Sequence, residues 1–345
     1  MQNAGEAYSL KRFLLFFTKK LRLSNPWNFK APLLITFPYL VMLLSNDMAT
    51  HAFLAVIVSI VVIIGVAGLG YLSNDLGDRK KDARIGKENV LIGMPWSGLL
   101  VLFLLFFAFT LLPWLYLPFN SISGLLLALQ LGLFFLYAMP PFRLKERGVL
   151  GLVSDALYGH ALPAVLAAYT FYLFCGAQMV NFKAFLLLLF SWQSVQGVRN
   201  ILFHQIKDFE SDQKSGTATF VTSRGLEPSL KLVKTRLLPA EVLLFALFLT
   251  GIWFLWGHWM LTLFALGHTL ACLFRYRKQW ASMDYRARAY ACLDDFYILW
   301  LPLLVLLLMC LESRHFWPIL VLHLLLFKNG IKSNLKFKFP KWHST

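Results

Sequence analysis

The stretch AFLAVIVSIVVIIGVAGLGYLSNDLGDRKKD, residues 52–82, decides the fold. Residues 52–73 are apolar almost without interruption, and a helix needs roughly 20 such residues to cross a hydrocarbon core about 30 Å thick. The run then passes, with no proline, into Asn74, Asp75, Asp78 and Asp82. A lipid-spanning helix that ends in a file of acids puts a polar site at one face of a membrane.

The rest of the chain repeats the apolar half of that pattern. Runs at 31–46, 94–118, 122–140, 149–175, 183–206, 237–256, 258–275 and 294–311 join 52–73 to predict nine helices. A shorter run at 315–328 is either a tenth crossing or an interfacial helix. The runs are continuous rather than alternating at every second residue, so helices and not a β-barrel are expected. With 58% hydrophobic and 14% charged residues among 345, the polar side chains are too few to cover a soluble globule. The mean hydropathy of +0.63 agrees. The expected protein is all-α and polytopic. It has a basic amphipathic segment at 1–30, a transmembrane domain at 31–312, and a short apolar helix with a basic tail at 313–345.

A formal net charge of +16 would suggest nucleic acid in a soluble protein, but the positions of the charges argue otherwise. Of 33 basic residues only Lys183 and Arg314 fall in odd-numbered loops; the others group at the N-terminus, after the even-numbered helices and in the C-terminal tail. That asymmetry places the N-terminus and the even loops in the cytoplasm, at the inner membrane if the cell is bacterial. The expected partner is the bilayer, with no nucleic acid. Cys175, Cys272, Cys292 and Cys310 have no CxxC spacing and are expected to be packing residues.

Two acidic clusters carry the chemistry. Asn74, Asp78 and Asp82 recur at i, i+4 and i+8 and form one stripe if the helix continues, with Asp75 one step round. Asn200, His204, Asp208 and Asp212 repeat that spacing after the sixth run, and Gly216 ends the series. Carboxylates stacked at i+4 repel by roughly 0.2–0.5 kcal/mol per pair, so a cation is expected between them. Mg2+ suits such oxygens, because it bridges one or two carboxylates to substrate phosphates. Arg79, Lys80, Lys81, Lys87, Lys207 and Lys214 stand nearby to neutralise phosphate. No glycine loop for ATP is present, so the phosphates are expected to arrive on a lipid.

These residues resemble the UbiA superfamily of intramembrane prenyltransferases. Its NDxxDxxxD signature stands here as Asn74, Asp75, Asp78 and Asp82, and its DxxxDxxxG signature as Asp208, Asp212 and Gly216. Tyr137, Pro140, Pro141, Arg143 and Lys145 look like a third family segment, and Arg22 with Pro26 is similar to the family's N-terminal approach to the first helix. The resemblance spans roughly residues 20–312. It implies a nine-helix bundle around a central cavity open to lipid, with the two signatures facing each other at the cytoplasmic end. It further implies that Asn74, Asp78, Asp208 and Asp212 hold Mg2+ on the diphosphate of an isoprenyl donor, with Asp75 and Asp82 close by. Arg143 and Lys145 then become phosphate contacts, or else topology anchors. Tyr137 faces the cavity or sits in the interfacial belt.

The implied reaction is transfer of an isoprenyl group to a hydrophobic acceptor, aromatic or lipid, with release of diphosphate. Aromatic faces would steady the allylic cation by about 0.5–2 kcal/mol each. The chain departs from the family at His204, where an acidic residue is common. It also lacks an Arg-Pro pair between Asp82 and Asn89, so the resemblance does not name the acceptor. A membrane terpene cyclase or a phosphoribosyl-lipid transferase on the same scaffold stays open. A transporter is disfavoured, because the acids gather at one face and no inverted repeat relates the halves. Asp155 and His160 lie inside the fifth helix and either meet the acceptor or pair with each other. Asp294 and Asp295 are expected to cap the start of the ninth helix.

Overall fold

The computed structural model describes residues 24–45, 51–281 and 283–335, so Arg22 and most of the 1–30 segment lie outside the described residues. Every regular element within them is helical. In chain order these are α1 (Ser24–Phe29), α2 (Ala31–Ser45), α3 (Ala52–Ile85), α4 (Trp96–Leu111), α5 (Ser121–Ala138), α6 (Val149–Phe174), α7 (Phe182–Lys207) and α8 (Phe209–Ser215). They are followed by α9 (Phe220–Arg224), α10 (Leu226–Trp256), α11 (Trp259–Tyr276), α12 (Tyr285–Glu312), α13 (Trp317–Leu326) and α14 (Lys328–Leu335).

Six of the described helices are long and apolar enough to cross a membrane, namely α3, α4 with the turn after it, α5, α6, α10 and α12. The protein is an integral, multi-pass membrane protein. Each of the nine expected runs falls on a helix. Of the three outside that set, α2 has only 15 residues, α11 carries His268 and Arg275 within its 18, and α7 carries Gln193, Gln196 and Arg199 on its buried side. α13 has 10 residues, about 15 Å at 1.5 Å per residue, roughly half a hydrocarbon core. It folds back on α12, with Ile319 and Leu320 buried in the main core.

α3 packs against α4 and α5, α5 against α6, α6 against α7 and α2, α7 against α10, and α2 against α12. Leu100, Leu125, Phe254, Phe274 and Leu311 stay more than half exposed on the outside of this bundle, as a lipid-facing surface requires. At 34 residues α3 is about 51 Å long, so its last turns carry Asp78 and Asp82 beyond the hydrocarbon.

Among the described residues four π turns occur, at Leu157–Ala161, Val233–Leu237, Tyr290–Asp294 and Phe296–Trp300. All but Tyr290–Asp294 lie immediately ahead of a proline, Pro163, Pro239 or Pro302. A proline lacks the N–H for the carbonyl four residues back and its ring crowds that carbonyl, so widening the preceding turn relieves both problems.

Two expected helix starts are corrected. α10 begins at Leu226 rather than 237, and α12 begins at Tyr285 rather than 294. Their first turns carry Lys231, Lys234, Arg286 and Arg288, and this polarity hid them from a reading of apolar runs. Asp284 caps α12 by accepting from Ala287 N at 2.7 Å. Asp294 is therefore an interior residue and not a cap. With Glu241 it clamps Arg199, whose Nε and Nη2 meet Glu241 at 2.5 and 2.9 Å and whose Nη2 and Nη1 meet Asp294 at 2.6 and 3.0 Å.

Candidate active site

The polar site forms where the end of α3, the turn after α5 and the bend after α7 converge. α3 and α5 approach closely because Gly77 lacks a side chain; a Cβ there would lie 2.3 Å from the Ala138 carbonyl oxygen. This contact sets the turn after α5 against Asp78. Arg143 donates to Gly77 O at 2.7 Å, to Asp78 at 3.1 Å and to Glu146 at 2.6 Å. Lys145 reaches Asn74 Oδ1 at 3.1 Å and Asp78 Oδ2 at 2.5 Å. Arg143 holds a left-handed φ of 40°, uncommon for a residue with a side chain. Its three acceptors fix it there. Burial pulls the Lys145 ammonium below the usual lysine range, against the attraction of Asp78.

The second cluster differs from the expected continuous stripe. α7 ends at Lys207, and Asp208 takes φ −93°, ψ 6°, the sparsely used bridge conformation often found at active sites. The chain bends there, yet Asp212 N still bonds Asp208 O at 2.8 Å, so the two acids stay one turn apart. Gly216 closes α8 with φ +66°, a conformation in which only glycine avoids a steric penalty. α8 packs on α3. Asn74, Asp78, Asp82, Lys87, Lys145, His204, Asp208 and Asp212 thereby line one pocket of about 140 Å³.

A second, apolar chamber of about 390 Å³ continues from it into the bundle, bordered by Ile35, Val62, Phe134, Leu166 and Phe171. Asn74, Tyr137, Ile201, His204 and Asp208 line both. The arrangement is one cavity with a charged mouth and a greasy interior.

The sequence model of the UbiA prenyltransferase family matches residues 34–297. The chain belongs to the UbiA prenyltransferase family. The family's fold is also the one matched among solved structures. A UbiA homolog from Archaeoglobus fulgidus superposes with a TM-score of 0.52 at 18% identity, over 92% of this chain and 99% of that one. The same homolog bound to DMAPP and Mg2+ gives 0.51 at 16% identity, with the same coverage of both chains. No curated protein sequence matches the chain.

Not every expected residue of the UbiA-like site reaches the pocket. Asp75 is buried, lines neither cavity, and offers its backbone carbonyl to Asn89 at 2.7 Å. One step round the helix from Asn74, it faces the protein. Asp82 lines the pocket while accepting from Asn89 at 2.8 Å. Lys207 and Lys214 are exposed and line neither cavity. Tyr137 lines the cavity, as one expected alternative had it, and its ring meets Tyr158 at 5.1 Å. His160 is buried, and its Nε2 has no hydrogen-bond partner among the described residues; Asp155 pairs with Tyr158 instead of with it. Asn89, Glu146, Lys30 and Tyr158 were not legible as site residues. Glu146 gave a weak signal, being the residue after Lys145, and it ties Arg143 to Lys81.

Among the described residues no three His, Cys, Asp or Glu side chains converge as a metal site by themselves. The residue types nevertheless fit Mg2+, because Asn74, Asp78, Asp208 and Asp212, whose side chains carry oxygen donors, line one pocket, and Mg2+ completes its shell with water and substrate phosphate. Burial, and then Asp208, pushes the Asp212 carboxyl up from 3.8 to about 6. A carboxyl whose folded pKa is raised binds more protons folded than unfolded, so it costs stability increasingly from pH 4 to 6 and fully above. Asp212→Asn is therefore expected to raise the melting temperature in EDTA at pH 7.5, with the gain shrinking as the pH is lowered toward 4. An equal gain at both pH values would show that Asp212 is not strained by its charge.

Proposed function

We propose that the protein transfers an isoprenyl group from an isoprenyl diphosphate to a hydrophobic acceptor within the membrane, in a Mg2+-dependent reaction, and that nine of its helices cross the bilayer. The observation that carries this reading is a single cavity whose mouth is walled by acids from two helices and whose interior is apolar. A diphosphate on a hydrocarbon tail has the same two-part character. The family membership supports the reaction class, and the A. fulgidus homolog was captured with GPP and Mg2+.

In this reading Asn74, Asp78, Asp208 and Asp212 hold the metal, which when bound offsets the charge that develops on the departing diphosphate. Lys145 and Lys87 contact its oxygens, while Arg143, which lines neither cavity, holds Asp78 in place. The chamber walls exclude water from the allylic cation, and Tyr137 stands where the reacting carbon would enter. Lys145→Met is expected to raise the KM for the donor about tenfold, read from initial rates against donor concentration; an unchanged KM would leave Lys145 as a positioning partner of Asp78 alone. The decisive experiment is mass spectrometry of the lipids formed when the purified protein in liposomes is offered Mg2+ and prenyl diphosphates of several lengths. Prenylated products with free diphosphate are expected. Transport of solute without diphosphate release would sink the reading.

A further inference from the structure

Away from the cavity, α11 and α12 bring two cysteines, a histidine and an aspartate into a chain of contacts. Of the 18 residues of α11 only Leu261 and Cys272 are buried, so Cys272 is one of two points that pin this helix to the bundle. Its Sγ reaches Ala291 O, on α12, at 3.2 Å, and its side chain hydrogen-bonds that of the next residue, Cys292. Both are free thiols, Cys272 buried and Cys292 partly exposed. Cys272 also meets His268, one turn earlier in α11, whose Nε2 lies 3.7 Å from Sγ. The same ring nitrogen lies 3.6 Å from Asp295 Oδ2, and Trp300 Nε1 donates to that oxygen at 3.1 Å. Phe296 and Trp300 pack on the imidazole, with ring centroids 5.2 and 6.2 Å away. Cys292 occupies the middle of the π turn Tyr290–Asp294, the one of the four that no proline directly follows, and such turns recur at functional sites.

These contacts run in series, from thiol to thiol to imidazole to carboxylate, and no three of the groups converge on a point where a metal ion could sit. An arrangement in series suits proton transfer. The thiolate is the reactive form of cysteine, and a second thiol in contact with it can resolve its oxidation product. We propose that Cys272 and Cys292 are a peroxide-sensitive pair that closes a reversible disulfide between α11 and α12. His268 takes the proton of Cys272, and Asp295 offsets the imidazolium so formed. The thiolate sulfur attacks hydrogen peroxide. An S–O bond forms, the O–O bond breaks, and the departing hydroxide takes the imidazolium proton and leaves as water. Cys272 is thereby oxidised to a sulfenic acid and the peroxide is reduced. The Cys292 sulfur then displaces hydroxide, which carries off the Cys292 proton as a second water, and the S–S bond forms. The bond fastens a thinly held helix, α11, to α12, and exchange with a thiol reductant releases it. Neither step involves the cavity or its substrates.

In the test, the full-length protein in detergent is treated with hydrogen peroxide, the remaining thiols are alkylated after unfolding, and the peptides are mapped by mass spectrometry. A disulfide between Cys272 and Cys292 is expected, lost on treatment with dithiothreitol, with Cys175 and Cys310 alkylated throughout. Cys292→Ser should instead leave the sulfenic acid on Cys272, read as its dimedone adduct. His268→Gln is expected to slow disulfide formation about tenfold or more at pH 7, where an unassisted cysteine is only a few per cent thiolate. That deficit should close by pH 9.5, where a cysteine ionises without help; a histidine with a structural role alone would leave it in place. Thiols that stay reduced, cross-links to Cys175, Cys310 or a second molecule, a rate indifferent to His268, a deficit that persists at pH 9.5, or Zn2+ bound to the reduced pair would each overturn the proposal.

Discussion

Asp78→Ala and Asp208→Ala are each expected to lower Mg2+-dependent release of diphosphate at least ~100-fold, the scale seen when one group that stabilises developing charge is removed. The two acids reach the same pocket from different helices, so each variant removes one wall of the site and leaves the other. They should differ in side effects. Asp78 is held by Lys145 and Arg143, and Arg143 keeps Glu146, so removal of Asp78 leaves the Lys145 ammonium in the mouth without its carboxylate and is expected to tighten retention of free diphosphate. Asp208 makes no cap to the following helix, and its loss should leave the fold as stable as before. The measurement is release of labelled diphosphate from a labelled donor in detergent or liposomes, with thermal denaturation as a control for folding. Wild-type turnover in both variants would show that the acids do not bear on the reaction.

The second large effect concerns the fold. Arg199 and Glu241 are wholly buried, and Asp294 is 16% exposed in its side chain. The guanidinium makes paired bonds to both carboxylates, which ties α7 to α10 and α12. Arg199→Met leaves two buried carboxylates facing each other with no cation, a change that typically costs about 3–5 kcal/mol. We expect little folded protein from this variant, read by size-exclusion chromatography and melting temperature in detergent. Adding Glu241→Gln and Asp294→Asn should recover much of the loss, because neutral partners remove the uncompensated charge. If Arg199→Met alone melts like wild type, the triad does not hold the bundle together.

The tie between these helices was not legible in the sequence, and the reason is physical. Apolar runs report where lipid is met, so α3, α5 and α6 could be placed by composition alone. The same reading ended α10 and α12 too late at their N-terminal ends, because an amphipathic turn outside the hydrocarbon carries no apolar run. Asp294 then looked like a cap. Only packing revealed that α12 already has several turns before it, and that a basic residue on α7 supplies its partner.

The acidic stripes were legible because i+4 spacing is a local property of a helix. Local spacing put Asn74, Asp78 and Asp82 in register, along with Asp208 and Asp212. It could not show that Asp75 turns into the protein, or that the chain bends at Asp208. Nor could it show that Gly77 lets α5 approach closely enough to deliver Arg143 and Lys145 to Asp78. Lys30 counted in the sequence only as one more basic residue before the first helix. In three dimensions it enters a chamber beside Asp155, more than a hundred residues away in the chain. Composition and spacing by themselves determined a helical membrane protein with two acidic helix ends. Which of those acids share a pocket, and what else reaches it, was decided by close helix approaches, contacts between residues too distant in sequence for any local pattern to encode.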